Sequence, residues 1–286
     1  MKKLTILLVI FLFSFSMFAE VSNLEKEALV KLYQSTNGSQ WTTKWNISMP
    51  VATWYGVKLE NDKVVSINLA NNNLKGELPK EIAGLVNLQQ LNLHKNYISG
   101  TIPSSIVALK ELKVLDISFN RLTGVIPVSI CQMYNLQIIE LYMNSLSGEM
   151  PSSIGNLKNL ETLSLYNNEI SGQIPNSLYE ISTLKNLLLS SNKLNGKLAH
   201  QVVNFKALEN LSLFDNNLDG QVPFELGYLN NLKEMNISYN MFSGLVSKNL
   251  ATLDTLNMTM INDKGVAILL DVATMDSNNK AVVSED

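Results

Sequence analysis

A single cysteine, Cys131, stands among 286 residues, which excludes an intrachain disulfide and a cysteine-rich zinc site. Histidine is nearly as scarce. His94 and His200 are the only two, more than four 24-residue steps apart along the chain, too far to share one catalytic centre. Basic runs are missing as well. The formal charge is -3, and removing Lys2 and Lys3 with the leader leaves 20 − 25 = -5. A mildly acidic chain without basic runs is a poor partner for nucleic acid. Nothing in the pattern asks for a metal or a cofactor.

Behind the leader no apolar run is long enough to span a membrane. The leader itself runs from Leu4 to Phe18 after Met1, Lys2 and Lys3, is broken by serines, and reaches Ala19. A basic start, a short apolar core and a small residue predict a signal peptide at 1–19 and an exported protein, secreted, periplasmic or held at the cell surface. An uncleaved anchor is the alternative.

Tryptophan is confined to Trp41, Trp45 and Trp54. All three precede the regular part of the chain, where they either offer a ligand platform or plug the end of an open core. The plug is the favoured reading, because a stacked array must cover its ends. Ahead of them, Ser22 and Glu25 have the spacing of a capping box opening a helix whose apolar face is Leu24, Ala28, Leu29 and Leu32.

What the chain has in abundance is period. Val64, Leu88, Leu112, Leu136, Leu160, Leu184, Leu208 and Leu232 follow one another at steps of 24, with no insertion or deletion. A fixed period in this range predicts a solenoid, and therefore an extended surface before a pocket. Within each unit, alternating residues such as Leu91-Asn92-Leu93 predict a strand. Apolar residues three apart, such as Ile82 and Leu85, predict a short helical turn on the far side. An asparagine column (Asn72 to Asn240), a glycine column (Gly76 to Gly244) and a proline column broken at Ala199 and Ser247 read as scaffold. The amide satisfies inward-facing backbone, glycine accepts positive φ, and proline fixes the entry to the next turn.

These residues carry a family. The stretch Leu160 to Pro175 resembles a leucine-rich repeat of the plant-type class, with its L-x-x-L-x-L-x-x-N-x-L-x-G-x-I-P pattern. The preceding segment, with Trp54, Tyr55, Gly56 and Val57, resembles that class's N-terminal cap. Thr53 and Leu59 stand where plant members carry a cysteine pair, and the cysteine-free cap looks like those of exported bacterial members. The resemblance implies an α/β fold: a curved solenoid with a parallel β-sheet on the concave face and short helical turns on the convex face. The expected organisation is a signal peptide at 1–19, an N-terminal cap at 20–63, and eight full repeats plus a degenerate one at 64–262. A C-terminal cap or tail follows at 263–286, where the apolar run Val266–Leu270 is expected to cover the last unit.

Strand residues that do not enter the core face the concave side. The expected ligand contacts are Asp116, Phe119, Glu140, Tyr142, Met143 and Tyr166, with Glu161 nearby and with Phe214 and Tyr239 as a second patch. Rigid aromatics suit hot spots and stack on sugars. Tyrosine at such a position is also ordinary in this repeat class. The expected partner is a protein, peptide or glycan, with a structural or adhesive surface module as the alternative. A hydrolase is disfavoured, since two carboxyls on an open face lack a pocket.

Overall fold

Each 24-residue unit gives one short strand to a continuous sheet. A computed structural model describes residues 21–254, 256 and 258–273. The leader at 1–19 lies outside the described residues, so the expectation of export has no structural counterpart here. The strands Gln90–Asn92, Val114–Asp116, Ile138–Glu140, Thr162–Ser164, Asn186–Leu188, Asn210–Ser212 and Glu234–Asn236 follow Lys63–Asn68 in sequence order. They pair in parallel with residue n opposite n + 24, as in Leu91 against Leu115 and Leu115 against Ile139. Leu115 and Ile117 are fully buried, so Asp116 and Ser118 leave the strand on the opposite, concave face.

At its first edge this sheet is extended by a hairpin. Val57–Glu60 runs antiparallel to Lys63–Asn68 through Asn61 and Asp62, whose φ of 48° and 61° match the primed turn that suits strand twist. Glycine is required at Gly56, where an added Cβ would stand 2.0 Å from the Asn68 carbonyl oxygen. The edge of Lys63–Asn68 is thereby covered, and the short Val57–Glu60 becomes the outermost strand.

The other half of each unit departs from expectation. The L-x-G-x-I-P segment forms a second parallel sheet of eight short strands, from Lys75–Glu77 to Met241–Ser243. Alternation in this segment was hidden by its glycine. Gly172, at φ 77°, shows why glycine stands there, since a Cβ would meet the Glu149 side chain at 2.7 Å. After it come the helical turns, tight three-residue-per-turn pieces such as Lys80–Gly84, Ser104–Ala108 and Val128–Gln132 up to Phe224–Tyr228, as apolar residues three apart dictate. Ala199 keeps the backbone of the prolines it replaces, with φ −79° and ψ 151°. Ser247 instead caps a four-residue α-helix, Lys248–Ala251, by accepting a hydrogen bond from the Leu250 amide at 3.3 Å.

The asparagine column stitches coil to coil. The Asn144 amide donates to Leu141 O at 3.0 Å in its own coil and to Ile117 O at 3.1 Å in the one before, and its Oδ1 accepts from Leu122 N at 2.9 Å. At the N-terminal end the helix Asn23–Ser35 opens with the Ser22–Glu25 capping box, and Glu25 also accepts from Val64 N at 3.0 Å. Trp41, Trp45 and Trp54 are each at most 4% exposed. Trp45 stacks on Trp54 at 4.8 Å and meets Trp41 edge-on at 4.9 Å. A platform open to ligand is excluded; the tryptophans are core.

At the other end, Asp254 takes over from the repeat pattern. It accepts hydrogen bonds from Ile237 N, Ser238 Oγ and Leu256 N at 2.8–3.0 Å. The expected apolar cover forms only in part: Leu270 is buried, while Val266, Ile268 and Leu269 remain exposed. Ala267–Leu269 pairs antiparallel with Thr259–Ile261, and that hairpin turns the run's side chains outward.

Candidate functional site

Stacking by 24 residues brings the variable concave positions of neighbouring units side by side. Asp116, Glu140 and Ser164 stand opposite one another on three paired strands. Ser118 Oγ donates to Asp116 Oδ1 at 2.5 Å, and the Ser118 amide donates to the same oxygen at 3.1 Å. His94 Nδ1 lies 2.8 Å from Ser118 Oγ. The serine proton is committed to Asp116, so His94 donates through Nδ1 and the serine accepts. The order His94, Ser118, Asp116 puts serine in the middle and fully buried, which is the wrong arrangement for a nucleophile. These groups hold Asp116 in place.

Glu140 carries no such clamp. Burial first, then the charge of Asp116 and a hydrogen bond with it, pushes its carboxyl above the ordinary value. Over this pair, Tyr142 and Tyr166 stack with centroids 4.4 Å apart and planes 9° from parallel. The Tyr166 phenol is pushed up to about 12, by burial first and then by Tyr142 and Glu140. His94 lies 6.0 Å from Tyr142 and 6.2 Å from Phe119. One cluster thus spans four coils.

Phe119, Met143 and Tyr239 belong to a different place from the one expected. They stand just beyond the strand, where the backbone turns left-handed at φ 55°, 52° and 58°. The same position is left-handed in every unit from Asn71 to Tyr239. Asparagine accepts that conformation readily, whereas a bulky side chain there is a true outlier. All three are exposed, at 42%, 39% and 42%. They line the rim of the concave face beside the tyrosine stack instead of standing on it. Phe214 and Tyr239 do pair, at 5.1 Å, two coils further along.

Glu161 does not join the cluster. It is salt-bridged to Lys185 at 2.7 Å, and Glu209 to Lys233 at 2.6 Å, forming an alternating ladder on the flank of the sheet. His94 and Ser164, by contrast, belong to the cluster and are not among the expected contacts. Their signal was the addition of 24 to a residue number, which places 94 beside 118, and 140 beside 164. Two hollows open on the surface. One, of about 360 Å³ and lined by Lys95, Tyr97 and Phe119, adjoins the cluster; the other, of about 490 Å³ and lined by Asn210, Glu234 and Leu253, lies further along, toward the last coils. Among the described residues no His, Cys, Asp and Glu group is placed to hold a metal ion, and no helix is long and apolar enough to cross a membrane.

The family model of the leucine-rich repeat region matches residues 127–262, and two further leucine-rich repeat models match 87–146 and 63–85. A solved complex of BIR3 and SERK2 from Arabidopsis thaliana is 32% identical, with TM-score 0.51, covering 58% of this chain and 93% of that one. The chain belongs to the leucine-rich repeat proteins. A probable leucine-rich repeat receptor-like protein kinase of Arabidopsis thaliana is 41% identical over 78 residues, 22% of this chain and 8% of the kinase. The plant peptide hormone receptor RGFR1 in complex with RGF2 superposes with TM-score 0.62 at 31% identity, over 72% of this chain and 32% of the receptor. This leucine-rich repeat protein therefore spans under a tenth of the curated kinase and about a third of the receptor chain.

Proposed function

We propose that this leucine-rich repeat protein is an exported, non-catalytic recognition module that holds a peptide or protein segment on its concave face. The observation that carries this is the convergence of Glu140, Tyr142 and Tyr166 with Phe119 and Met143, two bulky side chains kept exposed at a left-handed turn. Local strain at an exposed apolar residue is the kind of cost that function explains better than folding does. Rigid aromatics on a preformed sheet lose little entropy on binding, so they serve as anchors. Support also comes from a similar fold in a peptide hormone receptor with its hormone bound. The buried, accepting Ser118 and the distance between the two histidines favour binding over turnover.

Affinity capture from the extracellular fraction of the source cells tests this. The wild-type chain is expected to retain a partner that the Phe119→Ala/Tyr142→Ala/Tyr166→Ala variant loses. Equal capture by both proteins removes the concave cluster from consideration.

A further inference from the structure

We propose that the ligand presents a basic side chain, an arginine before a lysine, whose cation sits against the Asp116–Glu140 pair and the Tyr142–Tyr166 stack. This rests on the concave face being the binding face.

The charge arithmetic comes first. Asp116 and Glu140 face each other across one strand spacing, about 4.8 Å. The lysine ion pairs with Glu60, Glu161, Glu169, Glu180 and Glu209 lie away from them. Among the described residues, a group that stands against the pair and can carry positive charge is His94, with Nδ1 4.0 Å from Asp116 Oδ1, an ion pair only when its ring is protonated. Two partly desolvated carboxyls side by side are a costly arrangement that an incoming cation relieves.

A second observation points the same way. Ser164, in register with Glu140, is 1% exposed, and its Oγ has no hydrogen-bond partner. Its neighbours Leu163 and Leu165 enter the core, so the Ser164 side chain leaves on the face of the carboxyl pair. A buried hydroxyl without a partner costs stability unless something supplies one. A guanidinium has five N–H donors in a planar fork, enough to reach two carboxyls and a hydroxyl oxygen together. It also stacks on tyrosine, which a compact ammonium does less well. A neutral sugar would offer hydroxyls but leave the negative charge of the carboxyl pair uncompensated.

The test uses three synthetic dodecapeptide pools, random except for one fixed central residue: arginine, citrulline or glutamate. Citrulline keeps the shape of arginine and removes its charge. The full chain is expected to retain the arginine pool at least tenfold better than the citrulline pool. That margin is expected to vanish in Asp116→Asn/Glu140→Gln, with the melting curve recording that the variant remains folded. Equal retention of the arginine and citrulline pools, lost in Tyr142→Ala/Tyr166→Ala, overturns the arginine inference and leaves the concave face standing. Retention unaffected by the tyrosine variant, or no retention of any pool, overturns both.

Discussion

Tyr142 and Tyr166 lie 24 residues apart in sequence and 4.4 Å apart in space, ring on ring at 9°. Neither ring reaches the core, so the stack is a surface object held by the register of two strands. A double-mutant cycle on Tyr142→Ala and Tyr166→Ala, read by chemical denaturation, is expected to show coupling of about 0.5–1.5 kcal/mol. Each single variant is expected to weaken ligand binding about tenfold or more. Additive stabilities together with unchanged binding would reduce the stack to two neighbouring tyrosines.

Glu140 predicts a pH dependence. Its carboxyl is pushed up by burial first and by Asp116 second, so the folded chain holds that proton more firmly than the unfolded one. The associated stability is fully present below the ordinary carboxylate value and is lost as pH rises through the raised value. Glu140→Gln removes the loss. The variant is expected to melt higher than wild type near pH 7.5, with the difference closing near pH 4, as read by paired thermal scans. A difference that stays constant across that range would mean that Glu140 does not titrate against Asp116.

How far the sequence carried this result depends on whether a residue's role is fixed by its own column or by its neighbours. Asn144, Gly148 and Leu141 were legible because the same residue type recurs at the same phase, and each solves a backbone or packing problem internal to the coil. Asp116, Glu140, Tyr142 and Tyr166 were placed together correctly because alternation and period suffice for strand residues. Phe119 and Met143 were placed on the strand because nothing in their identity signals a left-handed turn. A neutral choice there would have been asparagine, as at Asn167. The second sheet escaped because a glycine at positive φ interrupts the alternation that marks a strand. The His94–Ser118–Asp116 chain needed hydrogen-bond directions, which no column carries.

The asparagine ladder sets a stability scale. Asn144 satisfies Ile117 O, Leu141 O and Leu122 N at once. Asn144→Ala leaves these groups short of partners in a partly buried turn, at about 1–3 kcal/mol for each that water does not reach. A loss of about 2–4 kcal/mol is expected. Asn192→Ala, with the same bonds two coils on, should lose about as much. Urea denaturation of both variants checks this. A loss under about 0.5 kcal/mol at either site would show that the turn finds other partners.

Phe119 separates folding from recognition. At φ 55° its backbone carries a left-handed penalty of about 1–2 kcal/mol. Glycine relieves that penalty while adding about 0.5–1 kcal/mol of chain entropy to be lost on folding. Removing a ring that is 42% exposed gives up only part of a side chain's packing, so the terms nearly offset. Phe119→Gly is therefore expected to leave Tm unchanged or slightly raised and to weaken ligand binding about tenfold. Asn167→Gly, at the same backbone position with φ 53°, should leave binding unchanged and lose about 0.5–1 kcal/mol of stability, because asparagine already tolerates the turn and only the chain-entropy cost remains. If Phe119→Gly instead melts several degrees lower with binding intact, the ring is a packing residue of the rim, and the left-handed position is occupied for stability rather than for a ligand.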